Sequence, residues 1–266
     1  MIPVFVGINY LCAFTKVRFL LRFFIELSYN GKAYHGWQNQ PDAISVQEVL
    51  EKALSTILKQ KIAVAGAGRT DTGVHASQMF AHFDFDGNLP DNIIFRLNSY
   101  LPNDVAISTI FEVKDDAHAR FHAVSRTYNY RISTKKNVFN YDFAYALQKS
   151  LDIHLMNKAC EILLQYKNFQ CFSKVNTDVK TYNCNLMQAH WTVENDELIF
   201  TIKADRFLRN MVRAIVGTLI NIGLGKLEVE KLHDILESKD RGEAGFSVPA
   251  HGLYLVSVEY PEDIKK

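Results

Sequence analysis

Asp71 is a carboxylate set in a glycine-rich turn, Gly66-Ala67-Gly68-Arg69-Thr70-Asp71-Thr72-Gly73-Val74-His75-Ala76. Gly66, Gly68 and Gly73 can adopt backbone conformations closed to other residues and let a ligand approach closely; Arg69 stands two residues from the acid. An Asp among glycines often does no more than bond its own backbone in a turn, so the flanks matter. Lys61 to Ala67 is apolar and β-prone, and Met79, Ala81, Phe83 and Phe85 alternate with Phe80, His82 and Asp84, the period of a half-buried strand. The acid is therefore predicted on a loop held by a rigid sheet, a geometry that suits chemistry. Neither GxGxxG nor GxxxxGK[ST] accompanies it, and the residues after Gly73 read as strand rather than helix, which excludes a nucleotide-phosphate loop.

Two further groups of residues have chemical potential. A predicted helix from Arg206 to Ile222 has Leu208, Met211, Val212, Ile215, Val216 and Leu219 on its apolar side, and Arg206, Arg209 and Arg213 at i, i+3 and i+7 on one stripe. Such a row is most often solvated or paired with phosphate. From Ala117 to Tyr141, Arg120, Arg126, Arg131, Lys135 and Lys136 occur without an acidic residue, interleaved with Phe121, Tyr128, Tyr130, Phe139 and Tyr141. Cations for phosphates and flat rings for bases suit a single-stranded or flipped-base nucleic-acid site, though a solvated strand with core aromatics reads the same way. His118 and His122 are four apart but have no third ligand, so no metal is predicted.

The elements that must position these groups repeat an order. A strand at Arg22 to Tyr29 precedes a helix at Ser45 to Gln60, opened by a capping box of Ser45 and Glu48, with Val46, Val49, Leu50, Ala53, Leu54, Ile57 and Leu58 on one face. Strands flank the Asp71 loop, Pro90 opens a helix that stops before Pro102, and a strand follows at Asp104 to Val113. The second half reads as a strand at Val124 to Ser133, a helix near Asp152 to Tyr166, a hairpin turning at Asn195-Asp196, the Arg206 helix, a short helix at Glu228 to Ser238 and a strand at Gly252 to Tyr260. The predicted fold class is α+β: tandem ferredoxin-like (βαββαβ) halves, 22–116 and 117–266, with mostly antiparallel sheets whose exposed faces meet around a central cleft.

Residues 1–21 stand apart as an N-terminal extension or an upstream start. Ile2 to Phe14 is apolar and uncharged, but Lys16, Arg18 and Arg22 follow that run, whereas a secretory signal carries its charges before it. At 266 residues and 48% hydrophobic the chain can bury a substantial core. No apolar run reaches the roughly eighteen residues of a membrane span. Cys12, Cys160, Cys171 and Cys184 are scattered without a CxxC, as expected for reduced thiols in the cytoplasm. A net charge of +1 argues against indiscriminate coating of nucleic acid.

The eleven-residue string closely resembles the active-site motif of the TruA-type tRNA pseudouridine synthases, usually Gly-Arg-Thr-Asp-Ala-Gly-Val-His-Ala, with Thr72 in place of the alanine. The resemblance runs from about Phe23 to Tyr260, through Tyr34-His35-Gly36-Trp37-Gln38, Leu97-Asn98 with Leu101-Pro102, Arg120-Phe121-His122-Ala123, Arg126-Thr127-Tyr128-Asn129-Tyr130 and Phe207 to Gly217, in the family's order. It implies a cofactor-independent, cytoplasmic, homodimeric isomerase that converts uridine to pseudouridine at positions 38, 39 and 40 of the tRNA anticodon arm, the subunits holding a tRNA between them. It implies Asp71 as the catalytic nucleophile, Arg213 of Met211-Val212-Arg213 as its ionic partner, and Tyr128 as the ring under the flipped base and a candidate for removing the C5 proton. By the same resemblance Arg69 fills the vacated stack and Arg120 holds the RNA backbone, and Phe121, His122 and Lys174 are expected among the substrate-binding residues.

The reaction breaks the C1′–N1 bond, rotates the uracil and rejoins it through C5. A carboxylate can attack uracil C6 or ribose C1′, or assist a glycal-type intermediate, and each route needs the ionised acid, which burial opposes and a neighbouring arginine favours. Two readings from other classes remain: a catalytically silent RNA-binding protein with tandem sheets, and an acid hydrolase using Asp71 with His75.

Overall fold

A computed structural model describes residues 20–175 and 179–266. Residues 1–19 of the expected extension lie outside the described residues, and Leu20 and Leu21 open the first strand rather than precede it. The elements are β1 (Leu20–Tyr29), α1 (Val46–Leu58), β2 (Ala65–Gly66), β3 (His75–Asp86), α2 (Ile93–Tyr100), β4 (Val105–Val113), β5 (Ser125–Ser133), β6 (Tyr145–Ala146), α3 (Ile153–Leu163), β7 (Leu186–Glu194), β8 (Glu197–Ala204), α4 (Met211–Gly223), α5 (Lys231–Ser238) and β9 (Leu253–Glu259). Local chemistry accounts for several boundaries. Ser45 Oγ accepts from the Glu48 amide at 3.1 Å to cap α1. Asn195 and Asp196, with φ of 48° and 66°, form the tight turn that fits the twist of the β7–β8 hairpin.

Several expectations are corrected. Helix α2 begins at Ile93 after Asn92, so Pro90 lies ahead of the helix and does not open it. Lys61 to Ala67 yields only the two-residue β2, because side chains of α1 satisfy the backbone before it. Gln47 donates to the Val64 carbonyl at 3.1 Å, Glu51 accepts from the Val64 amide at 3.0 Å, and Ser55 accepts from the Ile62 amide at 2.9 Å. Strand β3 is covered on both faces rather than half-buried: Phe80 and His82 are each 7% exposed, Phe80 meeting the rings of Phe111 and Tyr260. Helix α4 starts at Met211, after Asn210 enters the left-handed region at φ 69°, so Arg206 and Arg209 precede the helix and the predicted arginine stripe does not exist.

Among the described residues the strands form one nine-stranded sheet, β4-β1-β3-β9-β5-β8-β7, with β2 on β3 and β6 on β5. Pairing is antiparallel except at β3–β9 and β5–β6. The two sheets expected to meet face to face are therefore continuous, joined edge to edge where His75 pairs with Tyr254 and Ala76 with Leu255. Two apolar cores lie along this sheet, one using α1 and α2, the other α3, α4 and α5. They interlock: Leu255 and Val258 of β9 enter the first core, Val74 enters the second, and Tyr128 packs against both.

Candidate active site

The Asp71 loop is built on the segment that follows β1. The Trp37 amide donates to the Thr70 carbonyl and the Gly73 amide to the Tyr34 carbonyl, both at 3.3 Å, and the Tyr29 hydroxyl lies 2.9 Å from Thr70 Oγ1. The fit is close enough to demand glycine: a Cβ at Gly36, where φ is +88°, would stand 2.3 Å from the Thr70 oxygen, and one at Gly66 would stand 2.5 Å from the Trp37 ring. Thr72, the departure from the family string, is exposed.

Arg213, in the first turn of α4, reaches this loop from the other half of the chain. Its Nε donates to the Val248 carbonyl at 2.7 Å, which fixes the guanidinium and leaves Nη1 3.4 Å from Asp71 Oδ2. The other carboxylate oxygen lies 3.8 Å from Arg209 Nε. The Arg209 side chain is 61% exposed and that of Arg213 21%, so one cation is loose and the other held. Both separations exceed the roughly 2.7–2.9 Å of a tight charge-assisted hydrogen bond. Arg22 and Asp84 show the contrast, a two-pronged pair at 2.7 and 2.8 Å. Asp71 thus has compensating charge without having its lone pairs saturated, a state in which a carboxylate can still attack or accept a proton.

Tyr128 projects from β5 at the junction of the two cores and stands edge-to-face against Phe207, with centroids 5.1 Å apart. Burial pushes its hydroxyl up to about 12, with Arg126 acting in the opposite direction and the charge of Asp71 adding to the rise. The phenol is therefore neutral across the physiological range.

The remaining expected site residues lie outside the Asp71–Arg213–Tyr128 group. Arg69 is exposed and its Nε donates to Gln38 Oε1 at 3.3 Å. Arg120 sits 5.6 Å over the Phe121 ring, and the ring of Phe121, 72% exposed, lies tilted with its centroid 4.3 Å from that of His118, whose ring in turn lies 4.5 Å from that of His82. The His122 ring closes its own turn, its Nδ1 accepting from the His118 amide at 2.8 Å, while His118 Nδ1 accepts from the Arg120 amide at 3.0 Å. Lys174 is exposed, and its amide donates to the Arg209 carbonyl at 3.0 Å. His75, the partner required by an acid-hydrolase reading, is engaged elsewhere: its Nδ1 accepts from the Gly31 amide at 3.1 Å and its ring stacks on Tyr254 at 4.7 Å. Cys160, Cys171 and Cys184 are buried, each pushed up to about 12 by that burial.

Sequence reasoning missed Arg209 and Phe207 as site residues. Arg209 reads as one of a row of arginines most often solvated or paired with phosphate, and the pattern gives Phe207 no role of its own; the structure places Arg209 Nε 3.8 Å from Asp71 and Phe207 against Tyr128.

Comparisons with known proteins identify the family. The family model described as tRNA pseudouridine synthase matches residues 27–122 and 159–261, segments that contain Asp71, Arg209 and Arg213. The protein named tRNA pseudouridine synthase A from Parabacteroides distasonis is 50% identical over 245 residues, covering 91% of this chain and 97% of that protein. Its namesake from Bacteroides fragilis is 52% identical over 246 residues (91% and 98%), and one from Francisella tularensis subsp. holarctica is 39% identical over 244 residues (90% and 94%). With the family model matching well over half of its length and relatives of this similarity spanning nearly all of it, the chain belongs to the tRNA pseudouridine synthase family.

Proposed function

We propose that this chain isomerises uridine to pseudouridine at positions 38, 39 and 40 of the tRNA anticodon arm, with Asp71 as the nucleophile. The observation that carries the reading is Asp71 of the first half lying 3.4 Å from Arg213 and 3.8 Å from Arg209 of the second. The reaction conserves atoms and electrons: C1′–N1 breaks, C1′–C5 forms, the C5 proton leaves and N1 gains one. It therefore calls for a nucleophile and a proton carrier but no oxidant or reductant.

A base in a stem must leave its stack first, at a cost of a few kcal/mol, and stacking on an aromatic ring returns about 1–3 kcal/mol. Tyr128 supplies that ring, held by Phe207, and its neutral hydroxyl is a candidate carrier of the C5 proton. Arg69 enters the vacated stack, Arg120 and Lys174 take phosphates, and Phe121 with His122 borders the RNA path. Strand orders β4-β1-β3-β2 and β9-β5-β8-β7 support tandem ferredoxin-like halves, taken as 22–116 and 117–266. The enzyme works without cofactor in the cytoplasm, as a homodimer with tRNA held between its subunits. Mapping pseudouridine in tRNA from cells lacking this protein tests the reading: modification at 38–40 should vanish and return with the wild-type chain, whereas unchanged modification contradicts it.

A further inference from the structure

Arg126 begins the Arg126-Thr127-Tyr128 stretch of β5, two residues from Tyr128 and therefore on the same face of the strand. Its guanidinium donates to four carbonyl oxygens: Nη1 to Ala123 at 2.9 Å and Asp205 at 2.7 Å, Nη2 to Ala67 at 3.0 Å and Arg120 at 2.5 Å. These carbonyls belong to three segments that no single element contains. Ala67 lies in the loop that carries Asp71. Arg120 and Ala123 bracket Phe121 and His122 in the link between the halves. Asp205 opens the stretch leading to Phe207 and Arg209. Burial lowers the Arg126 pKa, while the same cation pulls the Tyr128 hydroxyl down.

We propose that Arg126 is a positioning residue for the isomerisation, its one guanidinium setting the Asp71 loop, the Arg120 segment and the approach to α4 at fixed distances around Tyr128. The inference rests on reading Asp71 as the nucleophile. Four converging carbonyl dipoles suit a planar cation whose N–H groups diverge in a fixed fork, and the point charge of a lysine cannot span them. Because the acceptors are backbone atoms, the arrangement specifies arginine whatever side chains flank it. A misplacement of about 1 Å between a nucleophile and its target can cost a hundredfold in rate, so loosening this clamp acts on turnover before it acts on the fold.

The test uses the full chain and tRNA tritiated at uracil C5. Single-turnover rates at saturating tRNA, tRNA affinity and thermal unfolding are measured for wild type, Arg126→Ala and Arg126→Lys. The expected result is cooperative unfolding above the assay temperature for both variants, with rates lowered by about tenfold to a hundredfold and tRNA affinity changed less than rate. Millimolar guanidinium should restore part of the Arg126→Ala rate while the same concentration of ammonium does not, a response that a general loss of stability would not give. A wild-type rate in either folded variant overturns the proposal, as does a loss that guanidinium leaves untouched and that follows the unfolded fraction. Should Arg126→Ala fail to fold, Arg126→Lys decides by its rate alone. Wild-type protein that releases no tritium overturns the synthase reading itself, and this inference with it.

Discussion

A carboxylate with guanidinium nitrogens at 3.4 and 3.8 Å is a different object from one gripped at 2.7 Å, and the difference predicts how substitutions rank. Arg213 is fixed by Val248 and mostly covered, so Arg213→Gln should lower kcat by roughly a hundredfold or more, the scale seen when a preorganised charge partner is lost. Arg209 is exposed and its charge is screened, so Arg209→Gln should act mainly on KM, by less than about tenfold. Steady-state kinetics of the two variants check the order, and equal losses in kcat would contradict it. At Tyr128 the ring and the hydroxyl separate: Tyr128→Phe should keep most tRNA affinity while slowing turnover, and Tyr128→Leu should weaken both. Near-wild-type rates in both would leave Tyr128 as packing alone. At this scale the sequence was informative where a residue's chemistry is local, as for Asp71 among its glycines. It was silent where a partner arrives from a distant carbonyl, as for Arg126.

Among the elements, α4 delivers Arg213, and its position depends on a close backbone approach. A Cβ at Gly217 would lie 1.8 Å from the Phe246 oxygen, and Thr218 Oγ1 accepts from the Gly245 amide at 2.8 Å. The same 245–248 stretch holds Arg213 through Val248. Gly217→Ala should therefore push α4 away from that stretch, destabilising the protein by about 1–3 kcal/mol and lowering turnover through Arg213. Thermal unfolding with kinetics on the same preparation checks this, and an unchanged melting temperature would contradict it. Periodicity and caps located most elements, since Ser45 and Asn195-Asp196 act on their own neighbours. Boundaries moved where another element intervened. The side chains of Gln47 and Glu51 replace a strand ladder at Val64, and a left-handed Asn210, which no local pattern marks, shortens α4.

For the whole molecule, edge-to-edge joining of the halves could not be read from residue pattern, because the β3–β9 contact brings together residues far apart in sequence and spans two residue pairs. The link segment 117–123 reinforces it: His82 Nδ1 accepts from the Ala119 amide at 3.2 Å, and the Tyr260 hydroxyl donates to the Ala119 carbonyl at 2.6 Å. His82 is buried, and that burial, aided by His118 and Arg22, lowers its pKa to about 4. The unfolded chain takes up this proton near pH ~6.5, so between about 6.5 and 4 the unfolded state binds a proton that the folded state refuses. Stability is full above that window and falls as pH drops through it, by at most about 3 kcal/mol. Urea midpoints at pH 7.5 and 4.5 should show the fall, and His82→Gln, which keeps an acceptor for Ala119 but cannot titrate, should reduce it. An identical fall in the variant would remove His82 from the cause.

The central claim is that a nucleophile from one half of the chain works against cations and a ring from the other, and Asp71→Asn tests it most directly. The substitution preserves shape and removes charge and nucleophilicity. With tRNA tritiated at uracil C5, wild type should release tritium from anticodon-arm uridines and Asp71→Asn should bind the same tRNA while releasing none above background. Release by the variant at the wild-type rate would contradict the account.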